Sequence, residues 1–599
     1  MAPTPFTRTV RLGNVPIATT GAPTPDAACE ALRTVRHGGA VGEPTVEFQT
    51  HPSRYRHWSL SVDGPIATLT MAVDPHGGLR DDYELKTNSY DLGVDIELAD
   101  AVQRLRFEHP GVKTVVVTGG LDKVFCAGAN IGMLAGASHG HKVNFCKFTN
   151  ETRNGIEDAT ENSGQAWIAA VNGTAAGGGY ELALACDEIL LIDDRASAVS
   201  LPEIPLLGVL PGTGGLTRLV EKRHVRRDLA DTFATRSEGL RAKAALEWQL
   251  VDHIAPASGW DDLVGARAAT RAAQSDRPDD QAGIELAPLE RTVSDDAIAY
   301  TAVQIAIDRN NGTASFVVRA PQGEQPRNGS EFAAAGAGAG TGAWILRAVR
   351  ELDDAILHLR FNEPEIGTWV FRTDGDPDAI AQAESMFAID AHHWLVRETR
   401  LLWARTLSRL DVSARSLVTL IEPGSCFVGT LAELALVADR SFMLEGTWEE
   451  LDDPPAPATI RLTEANLGWY PMANDLTRLR TRFWGRDDAY DTAAALAGKD
   501  LAARDALDAG LVTFAPDDID WPDEIRVMLE ERDSFSPDAL TGMEANFRFV
   551  GPETMTTKIF SRLSAWQNWI FQRPNAVGPQ GALQRFGTGS RPDFDPKRV

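Results

Sequence analysis

Cysteine is scarce: five residues in 599 (positions 29, 126, 146, 186 and 426), with no C-x-x-C pair. That excludes a disulfide framework and implies free thiols in a reducing cytoplasm. Basic charge is short too, with 58 Lys+Arg against 84 Asp+Glu and a net charge of −26. Nucleic-acid binding needs clustered basic surface to release phosphate counterions, so that class is disfavoured. No apolar run reaches the roughly 18 residues that suggest a membrane span. The opening MAPTPFTRTV lacks a basic stretch leading into an apolar core, so neither export nor membrane association is expected. The pairs His139/His141 and His392/His393 have no Cys or carboxylate cluster to complete a ligand set, and no metal is expected.

What is present is an ordinary globular composition, 43% hydrophobic and 24% charged, on a chain long enough for about two to four domains. HWSLSVDGPIATLTMAV alternates around an Asp-Gly turn and predicts a β-hairpin. VDIELADAVQRLRF then carries helical periodicity, and KTVVVTG is a short buried strand, so the order is that of an α/β unit. The chain also repeats. NGTAAGGGYELALACDEILLI (172–192) returns as PGSCFVGTLAELALVADRSFML (423–444), with Glu181 matching Glu433 at an offset of 252. LGVLPGTGGLTRL (207–219) returns as LGWYPMANDLTRL at an offset of 260, which places an insertion within 445–459. Two homologous halves are expected: a lead-in over 1–50, a first half over 51–274, a linker or insert over 275–345, a degenerate second half over 346–520, and a helical tail over 521–599. The run AAAGAGAGTGA follows no apolar strand and is taken as linker.

The strongest local signal is GTAAGGGYELALACD, three glycines between a strand and a helix. There the backbone can turn without a Cβ, and a ligand oxygen can approach the first free N–H groups of the helix. KVFCAGANIGML places a second small-residue turn upstream, and two backbone donors from separate turns are what an oxyanion hole needs.

These segments (F-C-A-G-A-N, then A-A-V-N-G-x-A-x-G-G-G-x-E-L, C-D-E, L-P-E-I and L-G-V-L-P-G-x-G-G) resemble the crotonase, or enoyl-CoA hydratase/isomerase, superfamily over about 65–255. The resemblance implies an α/β fold of two tandem crotonase-type spirals, the second degenerate, with a helical tail. It implies that the amides of Ala129 and Gly178 hold a thioester carbonyl, and that Glu181 and Glu203 form the acid/base pair, although their spacing exceeds the hydratase pattern by two residues. Gly128, Gly177 and Gly179 would contact substrate. KVNFCKFTNETRNGIED (142–158), the chain length, the weak second copy and the tail from Gln567 are similar to a ring-opening branch of that superfamily. That branch hydrolyses 2,3-epoxybenzoyl-CoA to 3,4-didehydroadipyl-CoA semialdehyde and formate in aerobic, CoA-dependent benzoate degradation. The resemblance gives Cys146 a functional role; Asn150 and Arg153 share its helix face at spacings of four and seven. No cofactor is implied, because CoA belongs to the substrate. A polyanionic substrate on an acidic chain requires a local basic patch, for which Lys142, Lys147 and Arg153 are candidates. The second half lacks the GGG run and a CAGAN counterpart, so it is expected to be structural, and the fused halves point to a homodimer. The rivals are a generic enoyl-CoA hydratase/isomerase and a non-catalytic scaffold on the same fold.

Overall fold

A computed structural model describes residues 45–279, 281–336 and 343–599. Cys29, most of the lead-in and much of the alanine–glycine run lie outside the described residues.

The predicted hairpin is formed by the strands Trp58–Asp63 and Ile66–Met71, paired from Trp58↔Met71 to Asp63↔Ile66. Asp91 then starts the helix Leu92–Phe107, its carboxylate accepting from the N–H groups of Gly93 and Val94. The next strand, Thr114–Gly119, runs parallel to Ile66–Met71, followed in sheet order by Ala166–Val171, Glu188–Ile192 and His253–Ala255. After three of these strands the chain crosses to a second sheet of four. Thr114–Gly119 leads to Lys123–Cys126, Ala166–Val171 to Gly173–Ala176, and Glu188–Ile192 to Ala198–Ser200, with Leu240–Arg241 at the edge. The chain therefore winds as a spiral, with a strand in each sheet and a helix outside. Apolar strands buried on both faces, such as WIAAV at 0–1% exposure, require that covering.

The second half repeats the element order. Helix Trp344–Asn362 starts 252 residues after Leu92 and leads into strand Thr368–Asp374, helix Trp394–Asp411 and strand Ser416–Ile421. One boundary differs from expectation. The stretch 275–345 is not a linker: Thr292–Val293, Ala297–Ala299, Val303–Asp308 and Thr313–Arg319 open the seven-stranded sheet of the second half. Only TASFVVRA carried an evident strand pattern; the short edge strands before it gain their order by antiparallel pairing. The counterpart of the first half's smaller sheet has shrunk to Phe427–Val428 beside Ile460–Arg461.

The halves lock around the helix His139–Ser163. Arg360 pairs with Glu151 through two hydrogen bonds of 2.6 and 2.7 Å. Glu398, also from the second half, accepts from Arg106 at 2.6 Å and Arg277 at 2.9 Å, and burial of all three makes each pairing mandatory.

Candidate active site

Helix Gly178–Ala185 grows out of the glycine turn. Gly177 precedes it at φ +54°, ψ −128°, and a Cβ there would fall 2.5 Å from Glu203 Oε1. Glycine is needed both for the backbone angle and for the approach of that carboxyl. The first helical bond runs from Glu181 N–H to Gly177 O (2.9 Å). Gly178 N–H thus lies among the amides at the positive end that have no partner within the helix.

Ala129 belongs to a two-residue strand, Gly128–Ala129, parallel to Ser89–Tyr90. Asn130 N–H donates to Tyr90 O (2.8 Å), so by alternation the N–H of Ala129 points to the opposite edge. A Cβ on Gly128 would lie 2.9 Å from Gly178 N. The two turns abut, and the two amides belong to touching segments. Gly179 serves differently, because its bare α-carbon faces the backbone of Cys126 and so packs helix on strand rather than facing a ligand.

Glu181 is 2% exposed and held by three donors. Its Oε1 accepts from the N–H groups of Thr213 (2.9 Å) and Gly215 (2.7 Å), and its Oε2 accepts from the Thr213 hydroxyl (2.5 Å). These donors come from the turn Pro211–Gly215, whose Gly-Thr-Gly-Gly spelling was visible in sequence without revealing its target. Glu203 opens the short helix Glu203–Leu207. Its Oε2 is buried with no hydrogen-bond partner among the described residues. Burial, reinforced by the charge of Glu181, pushes the Glu203 carboxyl up to about 7. Two nearby carboxyls therefore sit in different environments, one tied by three donors and one with an unpartnered oxygen. Beside Glu203, Leu206, Val209 and Leu210 are exposed and form an apolar rim.

Cys146 and Asn150 share one face of the helix His139–Ser163 and meet the same loop. Cys146 Sγ is 3.6 Å from where a Gly212 Cβ would stand, and Asn150 Nδ2 donates to Gly212 O (3.1 Å). Burial first, then the charge of Glu181, pushes the Cys146 thiol up to about 11, so it is protonated at neutral pH. Arg153 lies one turn on and is almost wholly buried. It donates to Gly178 O (3.4 Å) and Tyr90 Oη (3.3 Å) and lies 3.6 Å from Asp95. It props the glycine turn from the protein side, so it does not supply the basic patch expected for a polyanion. Lys147 points away from Cys146, into a chamber between the halves.

The second half shows what the same geometry becomes without glycine. Offset 252 equates Thr430 with Gly178, and Thr430 N–H donates to Glu384 Oε2 at 2.7 Å. Offset 260 equates Thr463 with Glu203, and its hydroxyl donates to Glu384 Oε1 at 2.7 Å. The protein's own carboxyl thus fills the place a ligand oxygen would take. Glu433, the counterpart of Glu181, is bonded to Asn466 (2.8 Å) and Arg478 (3.1 Å). Nothing in the sequence singled out Glu384.

Residues 84–297 match the enoyl-CoA hydratase/isomerase family model. The chain is 54% identical over 554 residues to a benzoyl-CoA-dihydrodiol lyase from Aromatoleum evansii, covering 92% of this chain and 98% of that protein. It is 35% identical to the alpha subunit of a fatty acid oxidation complex from Idiomarina loihiensis over 182 residues, 30% of this chain and 25% of that one. A solved enoyl-CoA hydratase from Geobacillus kaustophilus is 32% identical over 37% of this chain and 75% of its own, with a TM-score of 0.32.

Proposed function

Because this chain belongs to the benzoyl-CoA-dihydrodiol lyase family of the crotonase superfamily, we propose that it opens the ring of 2,3-epoxybenzoyl-CoA with uptake of two molecules of water, one to open the epoxide and one for the carbon–carbon cleavage that releases formate. The products are 3,4-didehydroadipyl-CoA semialdehyde and formate. The observation that carries this reading is the pairing of two abutting backbone turns with two carboxyls of unlike environment.

The amides of Ala129 and Gly178 receive the thioester oxygen and stabilise the charge that ring carbon–carbon cleavage pushes onto it; each such donor is worth about 2.7–4 kcal/mol. Glu203 is half protonated near neutrality and delivers a proton to the epoxide oxygen as its C–O bond breaks. Glu181, oriented by the Pro211–Gly215 turn, takes the proton of the attacking water. Cys146 meets the ring as a neutral thiol, not a thiolate nucleophile. Gly128 lets the two turns abut, Gly177 lets the Glu203 carboxyl approach, and Asn150 positions the Gly212 loop. No metal or redox cofactor enters these steps. The enzyme acts in the cytoplasm as a homodimer.

The test is formate release from 2,3-epoxybenzoyl-CoA, run beside hydration of crotonyl-CoA. Formate production with little hydration is expected. The reverse pattern would make the chain a general enoyl-CoA hydratase, and inactivity on both would leave a scaffold.

A further inference from the structure

On the side of the helix His139–Ser163 turned toward the second half lies a cavity of about 860 Å³, walled also by the helices Leu92–Phe107, Trp394–Asp411 and Pro537–Arg548. Seven cationic side chains and four carboxylates line it, in a chain whose net charge is −26. Most of these cations are spoken for: Arg405 by Asp158 (2.6 Å), Arg409 by Glu151 and Asp353, Arg548 by Asp439 (2.6 Å). Lys147 and Arg400 have no hydrogen-bond or ion-pair partner among the described residues. Arg106 is wholly buried, its Nε and Nη1 are paired, and its Nη2 is closed off from the chamber, so it adds positive charge to the wall without offering a donor to a ligand. Behind the wall stand Arg360, Arg415 and Arg598. Burial and those three charges push the Lys147 amine down to about 7, against the pull of Glu151.

Half-buried cations without a partner are costly, and a chain with 84 acidic residues has partners to offer them. Left open, they form a ready receptor for an anion. An ammonium and a guanidinium on separate helices of one chamber suit the several oxygens of a phosphate. The half-buried faces of Trp469, Phe549 and Trp566 supply an aromatic wall. The volume lies within the range of nucleotide-sized ligand sites, about 300–1,000 Å³. We propose that this chamber binds an organic phosphate carrying an aromatic base, an adenine nucleotide, through Lys147 and Arg400. The ligand is either a free nucleotide acting as an effector or the nucleotide end of the thioester substrate; only the second alternative rests on the function proposed above.

The test is calorimetric titration of the full-length protein with adenosine 3′,5′-bisphosphate, ADP and inorganic phosphate, repeated on Arg400→Met and Lys147→Met. Thermal melts verify that both variants fold; Lys147→Met removes a cation pressed by Arg360, Arg415 and Arg598, so it is not expected to melt lower than the wild type. One nucleotide should bind per chain, more tightly than inorganic phosphate, and each variant should weaken it about tenfold or more. No binding of either nucleotide by about 1 mM, or unchanged affinity in both folded variants, overturns the proposal. Inorganic phosphate binding as tightly as the nucleotides overturns the part played by the base. Competition by free CoA, with KM for the acyl-CoA raised and kcat kept in Arg400→Met, identifies the substrate's own nucleotide. Nucleotide binding undisturbed by saturating CoA identifies a separate effector. The titrations need no turnover, so they stand whether or not the ring-opening reading does.

Discussion

Glu203 shows how a single side chain acquires its role from its surroundings. A loop glutamate between two prolines would ordinarily be solvated and charged; packed against Gly177, with one oxygen unpartnered, it keeps its proton to about pH 7. A raised carboxyl donates below that value and is lost as a donor above it. In a pH profile of kcat/KM, activity should therefore decline above about pH 7, and Glu203→Gln should abolish that limb along with most of the rate. A rate that climbs through pH 7 would instead make Glu203 the base. Glu181→Gln and Glu203→Gln should each reduce steady-state turnover about a hundredfold or more, the scale of lost acid/base catalysis. Glu433→Gln should leave it near wild type, since Glu433 is engaged by Arg478 and Asn466. Equal losses at all three positions would refute the assignment.

Among the elements, the decisive contrast is between two copies of one turn. In the first half the turn is Gly177-Gly178-Gly179 and its amide nitrogen lies close to the abutting Gly128 segment; in the second it is Gly429-Thr430-Leu431 and its amide is occupied by Glu384. The Glu384 carboxyl also accepts from the hydroxyls of Thr430 and Thr463. Removing it strands those donors in a buried space, at about 1–3 kcal/mol for an unsatisfied group. Glu384→Ala should lower the melting temperature by several degrees while kcat, measured well below the melt, stays unchanged. A kcat falling as it does for Glu181→Gln would show that the second half takes part in catalysis. The helix His139–Ser163 divides its labour by face: Cys146 and Asn150 meet the Gly212 loop, Arg153 braces the glycine turn, and Lys147 faces the other half.

For the molecule as a whole, the second half serves as a buttress. Its Arg360 and Glu398 grip the helix that carries Cys146 and the arginines beside it, so both halves hold the site in register. The tail beyond residue 536 leaves Phe547, Met555, Phe560 and Phe586 between 69% and 90% exposed. Apolar surface of that extent is what the proposed homodimer would cover. Light scattering should return twice the 64.8 kDa chain mass, and Phe560→Glu should shift the population toward single chains. A wild-type protein that stays monomeric when concentrated would remove the dimer proposal.

Read alone, the sequence determined whatever depends on local chemistry. Alternation around Asp-Gly made the hairpin, the three glycines made the turn, and the spacing of Cys146, Asn150 and Arg153 set one helix face. Internal repetition pointed to two halves, because matched segments recur at constant offsets and the element order recurs with them. Tertiary structure alone decided which way those faces point and what meets them. Arg153 turned inward beneath the glycine turn, residues 292–319 joined a sheet, Glu384 closed the second turn, and Lys147 and Arg400 came to face one chamber. Each of these unites residues dozens to hundreds of positions apart, and their burial and charge balance exist only once the chain has folded back on itself.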